Sequence, residues 1–77
     1  MARFYFNVHD GQLVEDPEGL ELASLDAARD HALVCARGIM ADDIRCGELA
    51  LDEIIDIIDD GGKLVATIAF RDALIIR

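Results

Sequence analysis

The sequence contains no tryptophan, one tyrosine, three phenylalanines and one proline in its 77 residues. So few aromatic side chains weaken the case for a site that stacks nucleic-acid bases. No apolar run approaches the roughly 18 residues of a membrane span. The N-terminal stretch alternates aromatic and polar residues instead of presenting a signal-peptide core, so we expect a cytoplasmic protein with no membrane partner.

Basic residues are also scarce, since seven Lys and Arg stand against sixteen Asp and Glu and give a net charge of −9. Nucleic-acid affinity comes mainly from basic side chains on phosphates, so this balance argues against a nucleic-acid partner. It allows a basic protein partner, although solubility alone is a sufficient reason for an acidic surface. A chain of this length that is 53% hydrophobic predicts a single small α+β domain over residues 1–77.

Two cysteines are too few for a disulfide framework. Cys35 and Cys46 lie on one predicted helix, about 16 Å apart at a rise of 1.5 Å per residue. A disulfide requires Cα atoms within about 7 Å, which excludes a bridge along the helix. We expect Cys35 to be a small core residue and Cys46 to be a free thiol with no activating group.

The segment from Ser24 to about Cys46 predicts the only long helix. Ser24 is a suitable N-cap and Gly47 is a suitable stop. Apolar residues at spacings of three and four form one stripe, which consists of Leu25, Ala28, Ala32, Cys35, Ala36 and Ile39. Because the central residues are small, the helix can lie close to the layer that it covers.

The region before the helix predicts a β-hairpin. Residues 3–9 alternate, with Phe4, Phe6 and Val8 on one face. Asp10-Gly11 is a tight-turn sequence, after which residues 12–15 return as a short strand. Residues 16–19, Asp-Pro-Glu-Gly, predict a second turn with the glycine at positive φ.

The region after the helix predicts a second hairpin. Residues 53–58 and 63–70 flank Asp59-Asp60-Gly61-Gly62, in which either Asp60-Gly61 or Gly61-Gly62 forms a two-residue loop. Either loop places the same residues on the face that the helix covers, namely Ile55, Ile57, Leu64, Ala66, Ile68 and Phe70. The predicted fold is therefore β-β-α-β-β, an antiparallel sheet of three to four strands with one long helix packed on one face.

The other face of the sheet retains apolar residues that a single helix cannot cover. Contiguous exposed apolar area beyond a few hundred Å² usually marks a contact surface. We therefore expect a homodimer, through this face or through a strand edge. The tail residues Leu74, Ile75 and Ile76 add further apolar surface. The candidate interface consists of Tyr5, Ile54, Ile58, Val65, Ala69 and Ile75. The alternative is that the tail folds back over this face and leaves a monomer.

No arrangement of residues predicts catalysis, a metal or a cofactor. His9 and Asp10 are neighbours on a strand and point to opposite faces, so Asp10 cannot orient His9 as a base. We expect His31 to be solvated at the edge of the helix stripe. The aspartates within residues 56–60 lack the spacing of a calcium-binding EF-hand loop. We therefore predict a protein that is not an enzyme.

Four stretches of the chain are distinctive in combination: 4–11 with its aromatic alternation, 16–22, 25–29, and 60–73. In these stretches the chain resembles a family of short uncharacterised alphaproteobacterial proteins catalogued as a domain of unknown function. The resemblance covers nearly the whole chain and implies a stand-alone domain. It implies no activity, ligand or catalytic residue.

These observations favour a small non-catalytic protein-interaction or regulatory module that acts as a homodimer. The alternative is an antitoxin-like acidic inhibitor that covers a basic toxin or nuclease site. This alternative follows from a likeness in element order to small toxin-neutralising antitoxins, which also open with a hairpin and then a helix.

Overall fold

The computed structural model describes residues 1–75. The elements are β1 (Ala2–His9), β2 (Leu13–Val14), β3 (Leu20–Leu22), α1 (Leu25–Arg45), β4 (Ile54–Ile58), β5 (Leu64–Ala69) and a 3₁₀ helix (Phe70–Ala73). All strand pairs are antiparallel, in the order β2-β1-β4-β5, and β3 also pairs with β1. The predicted small α+β fold, with an antiparallel sheet and one long helix, is confirmed. The predicted element order lacks the short strand β3 and the 3₁₀ helix.

The ends of α1 follow from local sequence. The Ser24 hydroxyl accepts a hydrogen bond from the backbone N–H of Ala27 at 3.1 Å, as an N-cap does. At the other end Gly47 adopts a φ of 84°. Its N–H donates to the carbonyl of Ile44 and the N–H of Glu48 donates to that of Asp43, both at 2.9 Å. This pair of bonds is a Schellman motif, which requires the left-handed conformation that glycine adopts freely.

The core lies between one stripe of α1 and one face of the sheet. The buried helix residues recur every fourth position, at Ala28, Ala32, Ala36 and Met40. The sheet and the chain end contribute Phe4, Phe6, Ile55, Ile57, Ile68, Phe70 and Ala73. The predicted stripe is confirmed, and Met40 extends it by one turn. Each fully buried large side chain contributes roughly 1.5–3 kcal/mol to stability.

The hairpin of β4 and β5 closes with a three-residue loop, residues 60–62, instead of the predicted two-residue loop. The N–H of Asp59 donates to the carbonyl of Lys63 at 2.8 Å, and Gly62 adopts a φ of 84°. Ile58 then pairs with Leu64, whereas Ile57 pairs with Ala66. Val65 is thus an extra residue in β5, a β-bulge.

Because of the bulge, two of the predicted face assignments are wrong. Leu64, predicted to lie under the helix, pairs with Ile58 and is 53% exposed. Val65, predicted to lie on the opposite face, is half-buried and packs against the core. Beyond the bulge the register is the one that a Gly61-Gly62 loop predicts. The residues from Ile54 to Ile57 on β4 and from Ala66 to Ala69 on β5 therefore lie on the predicted faces.

The carboxylate of Asp16 fills a gap along the edge of β1. β3 pairs with Ala2–Phe4 and β2 with Val8–His9, which leaves the middle of this edge without a strand. There Asp16 Oδ2 accepts the N–H of Phe6 at 3.3 Å, and Asp16 N–H donates to Asn7 Oδ1 at 3.0 Å. Asp16 Oδ1 also accepts the N–H groups of Glu18 and Gly19. One side chain therefore holds both its own turn and the neighbouring strand.

Gly19 closes that turn directly against β1. Its φ is 70°, as the turn sequence predicts. A Cβ atom at this position would lie 2.9 Å from the carbonyl oxygen of Phe4 and 2.9 Å from carbons of the Tyr5 ring. A side chain is thus opposed both by the backbone conformation and by a fixed backbone atom.

We predict that Gly19→Ala destabilises the protein much more than Gly11→Ala. Gly11 has a similar φ of 75°, but a Cβ atom added there would meet nothing within 4 Å. Gly11→Ala should cost about 1 kcal/mol of unfolding free energy from the left-handed conformation alone, and Gly19→Ala about 3 kcal/mol. Urea unfolding followed by circular dichroism measures both. Equal losses would show that the contact with Phe4 and Tyr5 is unimportant.

Candidate functional site

The outer face is the side of β1, β4 and β5 that points away from α1, and the strand register divides it into three rows. The first row is Tyr5, Ile58 and Leu64; the middle row is Asn7, Asp56 and Thr67; the third row is His9, Ile54 and Ala69. Residues directly opposite on antiparallel strands share a face, so each row runs across the sheet. The first row is apolar, the middle row is polar, and the third row is apolar apart from His9.

The polar side chains of this face bind one another. His9 Nε2 donates to Asp56 Oδ2 at 2.8 Å, and Thr67 Oγ1 donates to Asp56 Oδ1 at 2.9 Å. Asn7 Oδ1 accepts the backbone N–H of Asp16. Both oxygens of the Asp56 carboxylate are therefore used within the face.

The His9–Asp56 pair is absent from the sequence predictions. His9 and Asp10 do not pair, as expected, but the carboxylate that His9 contacts lies on β4. The pair could be found only from the register of β1 and β4, in which Asp56 lies opposite Asn7 and hence diagonal to His9. Diagonal neighbours on one face lie within reach of long side chains.

The structure brings four of the six predicted interface residues onto the outer face. Tyr5, Ile54, Ile58 and Ala69 lie there, each half-buried, and Leu64 joins them. Val65 does not, because it is the bulged residue that packs against the core.

Ile75 also lies away from this face. It is 81% exposed, but it follows the 3₁₀ helix, which packs against α1. Arg37 Nε of α1 donates to the carbonyl of Ala73 at 2.8 Å, and Leu74 packs against the core. The chain as far as Leu74 therefore stays with the helix and does not fold over the outer face. Ile76, named with the apolar tail, lies outside the described residues.

His31 and Cys35 form a small polar group beside the core. The rings of His31 and Phe6 meet edge to face with centroids 4.8 Å apart, and His31 Nε2 lies 3.4 Å from Cys35 Sγ. His31 is half-buried, so the expectation that it is solvated is wrong. Burial raises the pKa of the Cys35 thiol above its usual 9.0, and the negative charge of Asp16 raises it further. Cys35 is thus a packing residue, as predicted.

Residues 1–75 contain neither a metal-binding cluster nor a cavity. In this range no group of three or more His, Cys, Asp or Glu side chains is arranged to hold a metal ion. The same residues enclose no detectable pocket. No helix in the described part of the chain is long and apolar enough to cross a membrane.

The chain belongs to the family described as a domain of unknown function, DUF6894, whose family model matches residues 3–71. This match confirms the resemblance on which the sequence prediction of a family was based. No curated protein and no solved structure matches the chain.

We predict that Cys46 reacts with a thiol reagent faster than Cys35 near neutral pH. The thiolate is the reactive form, and the raised pKa of Cys35 lowers its thiolate fraction, whereas Cys46 is exposed. The variants Cys35→Ser and Cys46→Ser each retain one thiol. Cys46→Ser, which retains Cys35, should be alkylated more slowly than Cys35→Ser by on the order of tenfold. The difference between the two rates should narrow as pH rises and disappear in denaturant. If Cys35 were alkylated faster than Cys46 in the folded protein, the partly buried environment described for Cys35 would be wrong.

Proposed function

We propose that this DUF6894 protein is a small non-catalytic interaction module that acts in the cytoplasm as a homodimer assembled through its outer face. The observation that carries the proposal is the row pattern, in which apolar residues flank polar side chains that already bind one another. The two free thiols are consistent with a reducing compartment.

The internal hydrogen bonds lower the cost of covering this face. A polar group that loses water without gaining a partner costs about 1–3 kcal/mol, and a charged group costs more. Asp56 retains two hydrogen bonds and Asn7 retains one when water leaves. Among the described residues no buried side-chain nitrogen or oxygen lacks a partner. The face therefore resembles a prepared contact surface more than a solvated one.

A second copy of the chain suits this face in pattern and in charge. It presents the same apolar rows separated by the same polar row, and two-fold pairing is the commonest symmetry of homo-oligomers. The net charge of −9 opposes self-association in general. The outer face itself carries few charges, because Asp56 is the one carboxylate in its three rows and Arg3 at the rim pairs with Glu21.

The size of the face sets the strength of the expected dimer. β1 has 8 residues, about 26 Å at 3.3 Å per residue, and three strands at 4.8 Å cover about 14 Å. This area of about 370 Å² is smaller than the roughly 800 Å² per partner of a standard interface. We therefore expect a dissociation constant in the micromolar range.

The edge of β5 is the less favourable route to a dimer. Among the described strands β5 pairs only with β4, so its other edge is open. The bulge at Val65 interrupts the regular ladder of this edge, and the exposed Lys63 stands at its start. Bulges and lysines are the features by which natural proteins block pairing between edges.

A second candidate function, an antitoxin-like acidic inhibitor of a basic toxin or nuclease, is favoured by the charge distribution. Three arginines already pair with carboxylates of the same chain: Arg3 with Glu21, Arg45 with Asp42, and Arg71 with Asp52. The remaining surface charge is strongly negative and suits a basic partner. A reading frame for a basic toxin-like protein beside the gene would favour this candidate, and an isolated gene would favour the homodimeric module.

We predict that Ile58→Asp abolishes the dimer and that Val34→Asp does not. Ile58 lies in the first row of the outer face, whereas Val34 is 61% exposed on α1. A charge at the centre of an apolar contact must lose its hydration, and a charge on the exposed helix need not. Light scattering behind a sizing column at about 100 μM, well above a micromolar Kd, should give a dimer mass for wild type and Val34→Asp.

The same experiment should give a monomer mass for Ile58→Asp, with a far-ultraviolet circular dichroism spectrum that matches wild type. A monomer mass for wild type at this concentration would overturn the homodimer. A dimer mass for folded Ile58→Asp would move the contact away from the outer face.

A further inference from the structure

We propose that protonation of His9 strengthens the association of two outer faces. This inference rests on the proposed function, because it concerns the regulation of that same dimer. His9 Nε2 and Asp56 Oδ2 are 2.8 Å apart, and their side chains are 42% and 21% exposed. Both groups therefore still contact water in the single chain and lose that contact when the face is covered.

Covering the face affects the two protonation states of His9 differently. With a neutral imidazole, assembly buries a carboxylate whose negative charge has no counter-charge in contact. With an imidazolium, assembly buries an ion pair of zero net charge that shares a short hydrogen bond. An unpaired charge is far more costly to bury than a paired one. The dimer therefore holds the proton on His9 more strongly than the monomer does.

The direction of the pH effect follows from linkage. Because association takes up protons, the dimer is favoured at the lower pH and weakens as pH rises. Histidine is the side chain that ordinarily changes charge between about pH 5 and 8, so the comparison of association is made across that range.

The other groups around His9 are carboxylates or apolar side chains. Asp10 follows it in the chain, and Glu53 lies at the same end of the sheet, where its carboxylate accepts the N–H of Gly11 at 3.3 Å. Opposite His9 on the neighbouring strands are Leu13 and Ile54, both apolar. The charged groups near His9 are therefore negative, as Asp56 is.

The basic side chains of this region are already engaged or distant. Arg71 lies at this end of the sheet, where it pairs with Asp52 and donates to the carbonyl of Leu51. Arg3 is six residues away along β1, about 20 Å at 3.3 Å per residue. Lys63 precedes β5 at that same far end of the sheet. The helix lies behind the sheet and presents its charges elsewhere.

The second histidine provides a matched control. The chain has two histidines, and His31 lies on the helix side, in contact with Phe6 and Cys35. The variants His9→Gln and His31→Gln therefore remove the same titrating group from the two sides of one sheet. Asp56→Asn removes the buried charge while it keeps the side chain's shape.

We predict that wild type and His31→Gln associate on the order of tenfold more tightly at about pH 6 than at about pH 8. His9→Gln should associate with nearly the same constant at both values. Asp56→Asn should lose the preference for the lower pH or reverse it, because a protonated His9 would then be buried without a carboxylate to pair with. Sedimentation equilibrium at constant ionic strength measures each constant, and far-ultraviolet circular dichroism confirms that each variant is folded. Ile58→Asp at both pH values provides the monomer baseline.

The outcomes separate the two proposals. A wild-type dimer of equal strength at both pH values overturns the role of His9 and leaves the dimer intact. The same is true if folded His9→Gln keeps the full pH dependence, or if His31→Gln loses it. A wild type that is monomeric at both values overturns the proposed function and this inference together.

Discussion

A single extra residue in β5 keeps the two faces of this sheet distinct. The three-residue loop after Asp59 would pair β4 and β5 one residue out of step with a two-residue loop, and a shift of one residue turns every side chain to the other face. Without the bulge, Thr67 would enter the core opposite Ile55, and Ile68 would leave it. Val65 absorbs the extra residue, so Ile68 lies beneath the helix and Thr67 reaches Asp56. The core and the polar row of the outer face both depend on this local adjustment.

Most of the fold could be predicted because alternation and helical spacing act over short distances. The stripe of α1 and the faces of β1 and β4 follow directly from residue spacing. The loop length does not, because Asp59, Gly61 and Gly62 suit loops of two or three residues equally well. The Asp59 carboxylate decides for the longer loop by accepting the N–H groups of Gly61 and Lys63 at 2.9 Å each. The exchanged positions of Leu64 and Val65 are the consequence.

The polar network could not be predicted because it depends on which strands are neighbours. His9 and Asp56 are 47 positions apart and meet only if β4 lies beside β1 in one register. Composition and periodicity contain no information about that choice. β3 is inaccessible to prediction for a similar reason, since three residues are too few for a recognisable alternation. Its pairing with β1 accompanies the anchoring of the preceding turn by Asp16 on the N–H of Phe6.

The polar row also distinguishes this face from a simple aggregation hazard. A wholly apolar surface binds similar surfaces in many registers, whereas a polar row penalises every register that covers it with apolar side chains. If two outer faces met one row out of step in the proposed dimer, Ile58 of one copy would cover Asp56 of the other with apolar surface that cannot replace the water lost. In the aligned arrangement the two polar rows would face one another, and Asp56 keeps its own His9 and Thr67 in either case. Because the chain carries a charge of −9, two copies attract one another only where such local pairing offsets the general repulsion. In the proposed dimer the polar row would therefore select the register in which the two faces fit, and the His9–Asp56 pair would select the pH at which they fit best.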